Sequence, residues 1–419
     1  MSRSTPGAGS GPAIGRGNGL GLPLPAEVPG CDSRCTPGAG LEDQRLRGRG
    51  RSPPRFAPEG RAAAVTYVVP VRQRGLRSAI RSVWQNRDVV CDVAARHGDG
   101  ITQNPVYDTE RKDLAKVTAT YWATGDTGSP LFAPRLGTGP ASYAGSTDEV
   151  IELPGTLTFY RTPGLVWDSG LEIDTHVLVD DGEAVRPGHT SETWNTAVAG
   201  PSLSRGGGSR TGDELVFAGG GLFADGVAGR AGTDVSATGT VTLAGDGKVL
   251  ATSEITDCLI ALPEWCELRA ELPAGAASYT LSTSMSRQSA LSTKVEAAWT
   301  FRSSHTAKRR ALPLMAVRYA PGGLDDANGA TPGSLTRLPI WVERGQGAGP
   351  VKRLRLETSA DDGATWHAVP VAASGSGWTA LVRNPATPRF VSLRVTAQNG
   401  AGGGLTQTIV RAYAVGPAV

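Results

Sequence analysis

The chain has 419 residues, of which 56 are glycine and 29 are proline, and this composition favours strands and turns over helices. The formal net charge is only +3, and much of that excess comes from arginines near the N-terminus, which argues against nucleic acid as the main partner. No run is long and apolar enough to span a bilayer, and the first residues lack the apolar stretch of a secretory signal.

The first two segments differ from the rest in composition. Residues 1–64 are rich in Gly, Pro and Arg without hydrophobic periodicity, so we expect a disordered tail. Residues 65–110 are predicted to form a short, partly helical segment, because apolar residues from about Gly75 to His97 recur near a 3.6-residue period.

From residue 111 onward the hydrophobic period changes to two. The run LAKVTATYWA (114–123) alternates apolar and polar residues, as a half-buried strand does, and similar short runs follow between turn signals. Residues 111–305 are therefore predicted to be a β-rich region of one or two sandwich modules. Residues 306–419 are predicted to be a C-terminal immunoglobulin-like β-sandwich. The expected fold class is mainly β, with two or three antiparallel sandwich modules in a monomeric chain.

The most specific local motif is SADDGATW (359–366), which fits the Asp-box pattern S-x-D-x-G-x-T-W. Its carboxylate can cap backbone amides, its glycine permits a left-handed backbone, and its tryptophan packs beneath the sheet. The motif predicts a stabilised hairpin turn and no active site. The residues concerned are Ser359, Asp361, Gly363, Thr365 and Trp366.

Two further groups suggest covalent or ionic links. Cys258 and Cys266 flank a proline-containing turn, which places them opposite each other on a hairpin and favours a disulfide, although two buried thiols are the alternative. Asp325, Asp326 and Asn328 cluster oxygen atoms that could hold calcium, but they lack the spacing of a full calcium loop. A polar turn is the default interpretation, and no other cofactor is expected.

No catalytic constellation is predicted. Asp126, His189 and Ser284 follow the order of a subtilisin triad, but Ser284 lies in an alternating strand pattern and His189 follows a turn. The α/β core that positions such a triad is also absent from the pattern of predicted elements. The chain alone is therefore expected to be inactive as a peptidase.

Several ordered strings give the chain a family resemblance. From about residue 108 to 413 it resembles the C-terminal, non-catalytic region of large secreted subtilisin-like serine peptidases. The strings are GHTSETWN with a following GP (188–201), RTGDELVFAGGGLFADGVAGRAGT (210–233), LSTKVEAAWTFRSS (291–304), SADDGATW (359–366) and FVSLRVTAQNGAGGGLTQTIVRAYAV (390–415).

The resemblance implies accessory modules that follow an upstream catalytic domain in a secreted enzyme. It implies that domain, or a protein or glycan substrate, as the partner. The chain departs from the family pattern because a Gly/Pro/Arg-rich stretch stands where the catalytic domain is expected. An alternative is an independent extracellular module that binds carbohydrate or protein through exposed aromatic residues, for which Trp122, Trp167 and Trp194 are candidates, although core packing is the default interpretation of these three residues.

Overall fold

The computed structural model describes residues 62–68, 78–86, 88–97, 111–135, 150–180, 182–204, 207–219, 221–256 and 266–416. Within these ranges the regular structure is β-strand apart from a short 3-10 helix at Arg111–Asp113. The prediction of a mainly β fold with several antiparallel sheets is confirmed. The described part of the chain contains no helix long and apolar enough to cross a membrane.

The first sandwich, called module 1, is built from two sheets. One has the order β1-β2-β3-β7-β4-β11, and the other has the order β14-β9-β8-β5-β6 with β10 added to β8. The strands up to residue 234 are β1 (Ala62–Val68), β2 (Ser78–Asn86), β3 (Val89–His97), β4 (Ala115–Tyr121), β5 (Thr127–Pro134), β6 (Ile151–Glu152), β7 (Gly155–Arg161), β8 (Val166–Ile173), β9 (His176–Asp180), β10 (Glu183–Ala184), β11 (Gly188–Trp194), β12 (Gly207–Gly212), β13 (Glu214–Ala218) and β14 (Arg230–Asp234).

In β4, the alternation of apolar and polar residues in the sequence matches the alternation of buried and half-buried side chains in the structure. Ala115, Val117, Ala119 and Tyr121 are buried, while the residues between them are half-buried. The period-two pattern therefore identified both the strand and its inward face. Across the core, ring centroids of Phe132 on β5 and Phe159 on β7 lie 5.0 Å apart, which joins the two sheets.

The predicted helix between residues 75 and 97 is wrong. Ser78–Asn86 and Val89–His97 instead form the antiparallel pair β2–β3, with Trp84 opposite Cys91. Strand β3 also pairs in parallel with β7, with Val90 opposite Phe159. Valines favour strands, and a pairing edge supplied by distant β7 outweighs a local helical spacing. The described residues of the segment 65–110, which are 65–68, 78–86 and 88–97, are thus part of module 1 rather than a separate element.

The boundary of the predicted tail also differs. Residues 62–64, assigned to the tail, are the start of β1, which pairs with β2. Residues 1–61 lie outside the described residues, so the prediction of disorder there stays a prediction.

The remaining strands form two further sandwiches that share one sheet. The shared sheet has the order β16-β15-β18-β19-β29-β28-β24-β25, with β22 paired to β29. The strands are β15 (Thr238–Gly245), β16 (Lys248–Ile255), β17 (Glu267–Glu271), β18 (Ala277–Ser286), β19 (Lys294–Ser303), β20 (Thr306–Ala311), β21 (Met315–Tyr319), β22 (Gly329–Ala330), β23 (Leu335–Arg344), β24 (Val351–Ser359), β25 (His367–Val369), β26 (Val371–Ser374), β27 (Gly377–Arg383), β28 (Arg389–Asn399) and β29 (Gly404–Val415).

The two sandwiches are defined by the smaller sheets that cover the shared one. Module 2 has the sheet β17-β13-β12-β20 over β15, β16, β18 and β19, and module 3 has the sheet β21-β23-β27-β26 over the remaining strands. In module 2, the rings of Phe217 and Trp299 lie 5.6 Å apart between the sheets. In module 3, the Gln407 side chain hydrogen-bonds both backbone groups of Val317 across the core.

The predicted boundary at residue 306 falls inside module 2. Strand β20 pairs with β12, with Arg310 opposite Arg210, so module 3 begins only after it. Strands β19 and β29 pair along their length, from Lys294 opposite Val410 to Thr300 opposite Gly404. One continuous core consequently runs through modules 2 and 3.

Candidate functional site

A group of buried charges lies where loops of module 1 meet strand β21 of module 3. Asp225, in the connection between β13 and β14, forms an ion pair with Arg230 at 2.9 Å, and their side chains are 1% and 3% exposed. The Arg230 guanidinium stacks on the Trp194 ring at 3.6 Å and lies 3.5 Å from Asp180. The same Asp225 oxygen accepts the backbone N–H of Asn195 at 3.0 Å, and the other oxygen accepts the backbone N–H of Val227 at 3.2 Å. A buried ion pair of this kind is stable only because each group is further hydrogen-bonded.

Two asparagines join module 3 to module 1. Asn328, between β21 and β22, accepts the backbone N–H of Ala197 at 2.6 Å and donates to the carbonyls of Ala123 and Asn195 at 3.1 and 3.0 Å. Its backbone is left-handed (φ 61°), which asparagine tolerates better than most residues. Asn195 in turn donates to the carbonyl of Trp122 at 2.9 Å.

Arg318 on β21 makes the third buried link. Its guanidinium donates to the carbonyls of Pro201, Asp225 and Val227, and it lies 3.7 Å from the Glu343 carboxylate. Burial lowers the pKa of Arg318, and the Glu343 charge opposes that shift. Carbonyl dipoles thus replace much of the water that a guanidinium normally binds.

Asn195, Asp225, Arg230, Arg318 and Asn328 together are called the junction. Their contacts connect loops of module 1 to β21 and to the loop before β22 in module 3. The contacts that the structure gives these side chains are hydrogen bonds, ion pairs and a ring contact, with no nucleophile held by a base. The arrangement can fix modules relative to one another, but it has no group placed to transfer a proton or attack a substrate.

Sequence reasoning missed the junction as a site, although a signal was present. Asn195 lies in the GHTSETWN string, and Asp225 and Arg230 lie in the string 210–233. These strings carried the family resemblance. Charged and amide residues that stand among small or apolar residues in them indicate polar groups that become buried in the fold.

A second buried polar group lies beside the junction in module 1. His176 on β9 bonds the carbonyl oxygen of Phe223 through Nε2 at 2.8 Å, and its side chain is 6% exposed. Nearby, Asp234 and Arg287 form a buried ion pair at 3.4 Å that links β14 to the end of β18. Burial lowers the pKa of His176 to about 3, and the positive charge of Arg287 contributes to the shift.

The lowered pKa makes stability depend on pH. Between pH 6.5 and about 3 the unfolded His176 binds a proton and the folded one does not, so the folded state loses stability as pH falls through that window. Between pH 7 and pH 5, the free energy of unfolding of His176→Gln should fall by about 2 kcal/mol less than that of the native chain. Urea unfolding at both pH values measures the difference. The exposed His367→Gln is the matched control and should behave as the native chain. Identical pH dependence in native chain and His176→Gln would refute this role.

The Asp-box residues form a closed turn between β24 and β25. Ser359 donates to Asp361 at 2.6 Å, and the Asp361 carboxylate accepts the backbone N–H and the hydroxyl of Thr365 at 2.8 and 2.6 Å. Gly363 has a φ of 93°, a conformation that side chains disfavour, and an added Cβ would lie 3.2 Å from the Trp366 ring. Trp366 also lies under the Arg394 guanidinium at 4.4 Å. The residues act together as a turn and leave no open ligand position in it.

These hydrogen bonds lower the pKa of Asp361 from 3.8 to about 2, Ser359 contributing most and Thr365 next. A depressed carboxyl pKa stabilises the fold at neutral pH, and this contribution disappears as pH falls from 3.8 to about 2. We expect Asp361→Ala, which removes the acceptor, to accelerate hydrogen exchange at the Thr365 amide at pH 5, with Asp362→Asn as the neighbouring control. Equal protection of Thr365 in all three proteins would contradict the assignment.

The residues tested for a catalytic triad lie in different sheets. His189 on β11 hydrogen-bonds the Thr118 hydroxyl at 2.9 Å, in module 1. Ser284 on β18 donates to Glu296 at 3.3 Å, in the shared sheet. Asp126 precedes β5. The structure does not bring these three side chains into one hydrogen-bonded set.

The aromatic residues considered as candidates for ligand binding are mostly core residues. Trp167 and Trp194 are 2% and 1% exposed, so neither can stack on a bound ligand. Trp122 is half-buried, and its backbone bonds the carbonyl of Trp194. Core packing, the default interpretation, is observed for Trp167 and Trp194, and the alternative that they are exposed binding residues is wrong.

Cys91 and Cys266 are both disulfide-bonded. Cys258 lies outside the described residues, so its predicted pairing with Cys266 stays a prediction.

The predicted calcium cluster forms a turn whose oxygens are already engaged. Asp325 accepts the backbone N–H groups of Ala327 and Gly329 at 3.1 and 2.7 Å, and the Asn328 oxygen is bonded to Ala197 in the junction. The described residues contain no group of three or more His, Cys, Asp or Glu side chains that could hold a metal ion. Calcium binding here therefore stays a prediction, and the observed contacts are those of a polar turn.

No protein family model matches the chain, and no curated protein matches it. Among solved structures, it is similar to the FN1–FN3 domains of chicken CNTN1, with 11% identity over 83% of this chain and 98% of that chain and a TM-score of 0.16. It is also similar to three N-terminal domains of the bacteriophage RB49 outer capsid protein Hoc, with 10% identity, 83% and 97% coverage and a TM-score of 0.17. Likeness at these levels assigns neither family nor function, so the fold description depends on the strand topology.

Proposed function

We propose that this chain is a non-catalytic accessory region of a secreted subtilisin-like serine peptidase, whose catalytic domain is encoded upstream. In this role the modules stabilise that domain, bind its substrate or tether it to a surface. The proposal takes the family from the sequence resemblance and the accessory role from the site. The chemistry of peptide hydrolysis is assigned entirely to the upstream domain.

The observation that carries the proposal is where the resembling strings fall. Asn195, Asp225 and Arg230 belong to two of these strings and lie in the junction. Tyr413, in the last string, is fully buried and donates to Asn384 at 3.0 Å within module 3. These strings thus contain three of the five junction residues, which supports a structural role for the segments that carry the resemblance.

Disulfide bonds support the secreted location. Cys91 and Cys266 are both oxidised, in module 1 and module 2 respectively. Disulfides persist in oxidising compartments and are rare in the cytosol of most organisms. We therefore infer that the chain folds outside the cytosol.

The genomic DNA upstream of this chain tests the proposal. We expect an open reading frame, in phase with the chain, that encodes a secretion signal and a subtilisin catalytic domain. A transcript that starts at this chain, with no such frame before it, would contradict the proposal.

An independent carbohydrate-binding module is the second candidate, favoured by one surface. The outer face of the shared sheet carries a shallow groove of about 330 Å³ whose lining residues are mostly serine and threonine. Hydroxyls both donate and accept hydrogen bonds, which suits sugar recognition. The hydroxyl residues that are not buried are Thr240, Thr242, Ser282, Ser284, Thr406 and Thr408.

A glycan array distinguishes this candidate from the accessory role alone. If the groove binds sugar, saturable binding should be lost in the isosteric double variant Thr406→Val/Thr408→Val. The control variant is Thr379→Val, which removes a hydroxyl from β27, in the small sheet of module 3. This variant should bind sugar as the native chain does. No saturable binding of the native chain, or equal binding by the double variant, would reject the carbohydrate function.

A further inference from the structure

A cleft of about 260 Å³ lies between modules 2 and 3. Its walls come from β12, from the end of β19 through β20, and from the loops after β23 and β28. Among its lining residues are Arg210, Arg302, His305 and Arg310, and none of the lining residues is acidic. The cleft is separate from the junction and from the Asp-box turn.

Arg210 is the buried charge of this cleft, and it is 1% exposed. Its Nε donates to the carbonyl of Gly212 at 3.2 Å, while Nη2 donates to Asp213 at 3.1 Å and to the carbonyls of Leu272 and Pro273 at 3.4 and 2.7 Å. Its Nη1 is buried without a hydrogen-bond acceptor. A guanidinium carries five N–H donors, and a buried donor left unpaired costs free energy. Arg210 therefore has unused donor capacity beside the cleft.

The compensating negative charge is small. Asp213 is the carboxylate paired with Arg210, and the same Asp213 oxygen is 3.0 Å from His305 Nδ1. Asp213 is 40% exposed, so water screens part of its charge. One partly exposed carboxylate is thus shared between a buried arginine and a histidine.

Two further arginines lie at the rim, and both are exposed. Arg302 ends β19 and Arg310 lies on β20, whose sequence TAKRRA also contains Lys308 and Arg309. The side chains of Arg302, Lys308 and Arg310 are exposed, and Arg309, also exposed, donates to the Ser209 hydroxyl on β12 at 3.2 Å. The rim therefore adds positive potential to a concave surface, which concentrates anions.

We propose that this cleft binds an oxyanion, with Arg302 and Arg310 contacting the ligand and Arg210 supplying buried positive charge. The planar fork of a guanidinium matches the oxygens of carboxylate, sulfate and phosphate groups. The group can come from a small free anion or from an acidic side chain of a peptide. The proposal depends on the cleft alone and holds whether or not a peptidase domain lies upstream.

Isothermal titration calorimetry at constant ionic strength tests the proposal with four probes: sulfate, phosphate, succinate and a glutamate-rich peptide. We expect saturable binding of at least one probe, and a Kd about tenfold higher, equivalent to about 1.4 kcal/mol, in Arg302→Gln/Arg310→Gln. Tight binding of the inorganic anions identifies a free-anion site, and preference for the peptide identifies an acidic partner.

The matched control is Arg337→Gln/Arg355→Gln, which removes two exposed arginines outside the cleft lining. Its net charge equals that of the test variant. The control should nevertheless bind as the native chain does, because its two arginines lie outside the cleft. Absence of saturable binding of every probe overturns the proposal. So does equal weakening in the test and control variants, since that would reflect net charge only. Arg210 is left intact because its removal would disturb the fold.

Discussion

Replacing Asp225 with asparagine lowers the free energy of unfolding by about 3–5 kcal/mol, the largest effect expected of one substitution in this chain. The change leaves the Arg230 guanidinium, 3% exposed, with only the more distant Asp180 carboxylate as counter-charge. It also turns one of the two carboxylate positions, which accept the backbone N–H groups of Asn195 and Val227, into an NH2 donor that cannot accept. Urea unfolding at pH 7 with linear extrapolation measures the loss.

The control for this substitution is Asp362→Asn. Asp362 also pairs with an arginine, Arg411, at 2.7 Å, but the two side chains are 45% and 38% exposed. Exposed pairs contribute about 0–1 kcal/mol, so the control should remain close to the native stability. Similar small losses in both variants would show that the junction ion pair does not hold the modules together.

Substitution of Asn328 by alanine has the second large effect, a loss of about 4 kcal/mol. Three backbone groups, at Ala123, Asn195 and Ala197, lose their partner together, and each unpaired buried group costs about 1 kcal/mol or more. Alanine in a left-handed backbone adds about 1 kcal/mol. Hydrogen exchange at the Ala197 amide should become faster, because its acceptor is removed.

Two variants separate these contributions. Asn328→Gly keeps the left-handed backbone without strain, so its loss should come from the hydrogen bonds alone. Asp246→Ala places alanine in a left-handed backbone (φ 49°) in the β15–β16 hairpin, outside the junction. This variant should lose about 1 kcal/mol of the free energy of unfolding. Unchanged exchange at Ala197 in Asn328→Ala would contradict the assigned contact.

Local sequence patterns predicted the parts of the fold that local physics decides. The alternation in β4 and in β28 identified inward residues, and Val391, Leu393, Val395 and Ala397 of β28 are all buried as the pattern indicated. Interactions within eight consecutive residues likewise produce the hydrogen bonds of the Asp-box turn.

Long-range contacts account for what the sequence did not predict. Asn328 contacts Ala123 across 205 positions of the chain, and no periodicity or motif encodes that pairing. The antiparallel pair β2–β3 was predicted as a helix because its apolar spacing fits both forms, and the parallel partner β7 lies far away in sequence. Buried Arg318 and Arg230 were unpredictable for a similar reason, since arginine is usually exposed unless a distant partner compensates it.

Reaction of the purified chain with a serine-directed fluorophosphonate probe tests the proposed non-catalytic role most directly. Ser284 and His189 lie in different sheets and hydrogen-bond to Glu296 and Thr118 rather than to each other. The junction residues also include no nucleophile that is activated by a base. We therefore expect no covalent labelling under conditions that label an active subtilisin-like enzyme completely. Stoichiometric labelling of one serine in the folded chain, abolished by prior heat denaturation, would contradict the account.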